Sequence, residues 1–155
     1  MPNQPDCQTL VPLLSRVRSG LDARAAGLWW VEGESLLQLA FDAALDMPCD
    51  VAADFARVTQ VVSLLSRPFG IVAAATQGCL AVSIASELAA DVGSGFWLRA
   101  FKAQRSIAVP LIEGTRVFAV VAVALAELDR SASAIEETLR AEAMRWFSAE
   151  RTDRL

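Results

Sequence analysis

The chain has 155 residues, 54% of them hydrophobic, a formal charge of −4 and no histidine. That length suits one domain with a substantial core, and the acidic balance works against a phosphate backbone as partner, so no nucleic acid is expected. Without histidine, Ser-His-Asp and Cys-His nucleophile schemes and His-containing zinc sites are excluded as usually built, so the expectation is a non-enzyme without metal or other cofactor.

The first ten residues lack a basic stretch followed by an apolar one, which predicts no secretory signal and a cytoplasmic protein. Cys7, Cys49 and Cys79 are odd in number and widely spaced, so each reads as a small buried or half-buried thiol. Leu10, Leu13, Leu14, Val17 and Leu21 fall at helical spacing. Pro12 is tolerable only in a first turn, so a helix should start near Thr9 or Leu10 and stop at Gly20. Residues 26–31 read as a strand, Glu32-Gly33-Glu34 as a turn and 35–41 as the partner strand. Irregular chain follows over 42–50.

Phe55, Val58, Thr59, Val62 and Leu65 predict a second helix, begun near Asp50 or Ala52 and ended by Arg67-Pro68. Residues 69–75 suggest a short helix closed by Gly78, and 79–85 a third strand. Gly93-Ser94-Gly95 lacks the third glycine of a dinucleotide fingerprint and the Gly-Lys of a phosphate loop, so it reads as a bend before a short helix over 96–101. From Ser106 to Leu128 the chain is almost wholly apolar. Its unbroken run, Val117–Ala126, is ten residues, half of the roughly 20 that cross a bilayer as a helix. Two strands about the turn Glu113-Gly114-Thr115, covered on both faces, fit better than a membrane anchor. Ser133 and Glu136 have the spacing of a capping box, and Ile135, Leu139, Ala143, Trp146 and Phe147 form one stripe of a last helix. Its arginines, among them Arg140 and Arg145, alternate with glutamates as on a solvated face. The order predicts an α+β fold, an antiparallel sheet with helices on both sides.

Leu28-Trp29-Trp30-Val31-Glu32-Gly33, Gly70-Ile71-Val72 with Thr76-Gln77-Gly78, and Ser106-Ile107-Ala108-Val109-Pro110-Leu111 before Glu113-Gly114 and 117–125 resemble, in that order, the GAF domain. The likeness covers about 25–127, with flanking helices about 9–20 and 131–150. It implies terminal helices on one face of the sheet and, on the other, a pocket under short helices and loops, where members bind cyclic nucleotides, bilins or amino acids. Bilin and haem are not expected here: Cys79 is followed by Leu80, where bilin-binding members usually have histidine. The cyclic-nucleotide signature Asn-Lys-Phe-Asp-Glu is absent, and Cys49 and Cys79 do not match the cysteine cluster of members that reduce free methionine sulfoxide.

Within that frame Trp97 and Phe101 would wall the pocket while Arg99 or Arg105 offers planar donors to an anionic ligand; the competing reading makes the aromatics core anchors. Trp29, Trp30 and Phe41 on the first hairpin face the same choice, although alternation lets at most one of Trp29 and Trp30 line a given cavity; Phe69 and Cys79 are further candidates. Leu10, Leu14 and Val17 with Leu139, Trp146 and Phe147 offer more apolar surface than one sheet face hides, and members of the resembled family often pair through these helices, so a homodimer is expected. The expectation is a non-catalytic sensory module that binds a small molecule and passes its signal to another protein. A scaffold with a self-filled pocket is the alternative, and a thiol redox sensor at Cys79 a third reading.

Overall fold

The computed structural model describes residues 7–67, 70–91 and 93–153. Strands β1 (Ala25–Glu32) and β2 (Ser35–Ala43) form one hairpin, β5 (Arg105–Glu113) and β6 (Arg116–Leu125) another. Each turns through two residues, of which the first is a left-handed glycine, Gly33 or Gly114, as turns matching the twist of a hairpin require. The hairpins join along β1 and β6, and short β3 (Val61–Ser63) and β4 (Ala81–Ile84) close the edges, giving the antiparallel order β3-β2-β1-β6-β5-β4. Helices α1 (Leu10–Gly20) and α5 (Ala132–Asp153) pack on one face; α2 (Cys49–Val58), α3 (Gly70–Gln77) and α4 (Gly93–Ala100) lie over the other. This is the α+β architecture expected from the sequence. Among the described residues no helix is long and apolar enough to cross a membrane.

The face under α1 and α5 is built from large side chains. Leu28, Ile107, Val109, Val121 and Val123 pack there in one continuous cluster with Leu13 and Leu14 of α1 and Ile135 and Leu139 of α5. Two bulges add to it. Leu39 and Phe118 are extra residues opposite β1 and β5, so Leu39-Ala40 and Phe118-Ala119 each turn two successive side chains to the helices. The indole Nε1 of Trp146 donates to Thr9 Oγ1 at 2.7 Å and ties the end of α5 to the start of α1.

Leu10, Leu14, Val17, Leu139, Trp146 and Phe147, expected at a dimer interface, are all buried inside the monomer. The sheet plus the neighbouring helix hides them, so in the monomer they are core residues, while Val11 of α1 is exposed. The second helix is also shorter than its apolar spacing predicts. It ends at Val58, and Val62 and Leu65 lie beyond it. Thr59 stops it, accepting Trp29 Nε1 at its carbonyl and Gln38 Nε2 at its hydroxyl (2.8 and 2.9 Å), while Gln38 N–H takes the Gln60 carbonyl and draws the β-branched Val61-Val62 into the sheet edge. At the last helix Ser131, not Ser133, is the cap, accepting the amide of Ala134. Cys49 and Cys79 are exposed rather than buried.

Leu139 is 1% exposed between α1 and the sheet. Leu139→Ala should therefore cost about 2–5 kcal/mol of stability, read as a lowered urea midpoint with an unchanged slope.

Candidate functional site

The opposite face of the same strands carries two adjacent rows made, apart from Phe41, of small residues. Across the sheet run Ala43, Ala25, Ala124, Ser106 and Ser83 in one row, and Phe41, Gly27, Ala122, Ala108 and Ala81 in the next. Side chains of this size fill little of the space under α2, while α3 and α4 come down to the sheet, Val72 and Ala74 packing with Ala108 and Leu98 with Ala25 and Ala124. The buried residues on this face accordingly separate into two clusters, and Phe55 of α2 is packed against both. Between floor and helices lies a cleft of about 900 Å³, a volume ordinary for a small-molecule site.

Aromatic rings make its walls. Phe55 stands 4.9 Å from Phe41 and from Phe101, 5.3 Å from Trp97 and 6.4 Å from Trp29, centroid to centroid. All five line the cleft. The Trp29 indole lies across Gly27, where a β-carbon would come within 2.5 Å of the ring. Helix α2 has no fully buried residue; half-buried Val51, Ala52 and Phe55 and the bonds at Ala56 and Thr59 hold it down. Among the described lining residues only Arg67 and Glu87 are charged, and both are exposed at the mouth.

Trp97 and Phe101 line the cleft, as do Trp29 and Phe41, whereas Trp30, Arg99, Arg105 and Cys79 do not. Trp30 points to the opposite face, 6.0 Å from Phe118 and 5.9 Å from Phe147; of the two tryptophans it is Trp29 that faces the hollow. Arg99 sits on α4 with its guanidinium donating to the carbonyls of Gly95, Ala85 and Leu88, so it braces the roof. Arg105 is 5% exposed and donates to the Glu127 carboxylate and to the carbonyls of Glu127 and Arg130. Neither cation is turned to a ligand. Cys79 is exposed outside the cleft, and Phe69 lies outside the described residues. Gly93-Ser94-Gly95 is the first turn of α4 rather than a bend before it. A β-carbon at Gly95 would stand 2.0 Å from the Ala89 carbonyl oxygen, so glycine there lets two backbones meet.

The floor residues and the Phe41–Phe55 pair escaped the sequence reading. Alternation in side-chain size along AAGLWW and FAVVAVAL was the available signal for the floor. Pairing Phe41 with Phe55 required the course of the chain between them.

No family model matches the chain, and no curated protein matches it in sequence. Solved structures do. A GAF domain/HD domain protein from Geobacter sulfurreducens superposes with TM-score 0.63 at 12% identity over 89% of each chain. The second GAF domain of DevS from Mycobacterium smegmatis gives 0.61 at 14%, over 96% of this chain and 99% of that one. This chain has the fold of a GAF domain. The same fold is shared by a type II free methionine-R-sulfoxide reductase from Thermoplasma acidophilum, TM-score 0.54 at 12% identity over 88% and 89%, so the GAF fold alone does not separate binding from catalysis.

Two outcomes follow from this geometry. In Gly27→Ala the indole must leave its place and release the Thr59 carbonyl; a loss of about 1–3 kcal/mol with a red-shifted tryptophan emission is expected. The Glu127 carboxyl is held at about 2, below its ordinary 4.5, first by the Arg130 backbone N–H and then by the Arg130 and Arg105 guanidinium groups. A depressed acid stabilises the fold fully above pH about 4.5 and loses that contribution as pH falls toward about 2. Glu127→Gln should flatten the stability profile across that window in acid titrations followed by circular dichroism.

Proposed function

We propose that this chain is a sensory or regulatory module that takes a small molecule into its cleft without transforming it. The observation that carries the proposal is the hollow itself: a floor of glycine and alanine left open under an aromatic wall, where a filled core would have put larger side chains. The reading as a binder rather than a catalyst is supported by the described lining, which includes no cysteine and carries charge only at Arg67 and Glu87, at the mouth. Cys49 and Cys79 are exposed outside the cleft, which disfavours a thiol reductase at this site.

The ligand touches Trp29 and Phe55, and these set where α2 lies. The strands that form the floor carry α1 and α5 on their other side, so a ligand with unequal affinity for two packings of the sheet biases the terminal helices. Their outer surface is charged: Glu142 of α5 pairs with Arg16 of α1 at 3.3 Å and with Arg145 at 3.2 Å. That surface is the one offered to an output partner or to a second copy of the chain.

A thermal-shift screen of a broad metabolite panel against the wild type and Ala122→Phe tests the proposal. At least one compound should raise the midpoint of the wild type and leave the variant, whose floor is filled, unmoved. A panel with no such compound would favour a scaffold that pairs with other proteins and needs no ligand.

A further inference from the structure

Resting on the reading of the cleft as a binding site, we infer that its ligand is an uncharged, planar aromatic compound of drug-like size. The rings set the shape. Phe55 stands edge-on to Trp29, Trp97 and Phe101, with interplanar angles of 88°, 76° and 74°, so ring faces and ring edges both border the space. A flat π-system meets such walls in the offset and edge-to-face arrangements that aromatic pairs prefer, and a flexible aliphatic chain does not.

The charges set the polarity. An anion carried into the cleft would leave its water for a wall without a buried free cation, which is costly. Arg67 is at the exposed rim, and the guanidinium groups of Arg99 and Arg105 are engaged with backbone carbonyls and Glu127. The deeper polar atoms are also engaged, Trp29 Nε1 with the Thr59 carbonyl and Thr59 Oγ1 with the Phe55 carbonyl. Besides rings, the described lining offers the hydroxyls of Ser63, Ser66, Ser94 and Ser106 and the first turns of α3 and α4. These suit the phenol or carbonyl of a neutral ring system, which gains a hydrogen bond without the desolvation of a full charge.

The full chain is titrated with 2-naphthol, 2-naphthyl phosphate and octan-1-ol, following tryptophan emission and confirming by calorimetry. Naphthol should bind at least about tenfold more tightly than either of the others. Phe55→Leu keeps an apolar wall but removes the ring, and should cut the preference for naphthol over octanol severalfold. Ala122→Phe should abolish naphthol binding, with circular dichroism reporting whether it folds; Phe55→Leu carries the test if it does not. A phosphate ester or an alcohol that binds as tightly as naphthol overturns the ligand class and leaves the binding role standing. Absence of binding by all three probes also overturns the class, and the metabolite panel then decides separately whether the cleft binds anything.

Discussion

Everything distinctive in this molecule depends on one asymmetry: over residues 106–109 and 121–125 the central strands carry large side chains toward α1 and α5 and small ones toward the cleft. Along β6, Val121, Val123 and Leu125 face the terminal helices while Ala122 and Ala124 face the cleft. Along β5, Ile107 and Val109 alternate in the same way with Ser106 and Ala108. Since pleating sends neighbours to opposite sides, one ten-residue strand can build a dense core on one side and a hollow on the other. The terminal helices are thus held by side-chain packing of ordinary interior density. Of the short helices, α3 and α4 bury Val72, Ala74 and Leu98 against the sheet, while α2 rests on half-buried side chains, Phe55 among them, and on the bonds at Thr59.

The hairpins, the two terminal helices and the antiparallel sheet were legible because hydrophobic period and turn chemistry are local. Gly33 and Gly114, Pro12 in the first turn of α1, and the stripe from Ile135 to Phe147 each declare themselves within a few residues. The second helix misled because Val62 and Leu65 continue its spacing, and only the long-range pull of Trp29 and Gln38 on Thr59 ends it. The site was half legible. Trp97 and Phe101 announced themselves as an aromatic cluster near a pocket wall, but the direction of a guanidinium depends on distant carbonyls. Arg99 and Arg105 therefore read as ligand donors in sequence and are braces in space. Polarity patterning showed that both sheet faces were covered; it said nothing about how closely, since alanine and valine are equally apolar.

On the proposed reading, the same asymmetry would connect binding to response. A ligand in the cleft would act on the less tightly packed side, and the terminal helices would shift as a unit because packed interiors move between discrete arrangements rather than deforming smoothly. Neither feature needs a reactive group in the cavity. Solved structures of the same fold include a free methionine-R-sulfoxide reductase as well as a GAF domain/HD domain protein, and the proposal of recognition rather than chemistry rests on the composition of the cleft, rings above and alanines below.

The most direct test of the asymmetry is a crystal structure determined under xenon pressure, because xenon enters dry apolar cavities and leaves packed interiors and wet polar ones alone. The account predicts xenon bound over Ala108 and Ala122 beside the Trp29 and Phe55 rings, and none between the sheet and α5. A xenon-free cleft with α2 settled onto the floor and Phe55 in contact with Ala122 would contradict it.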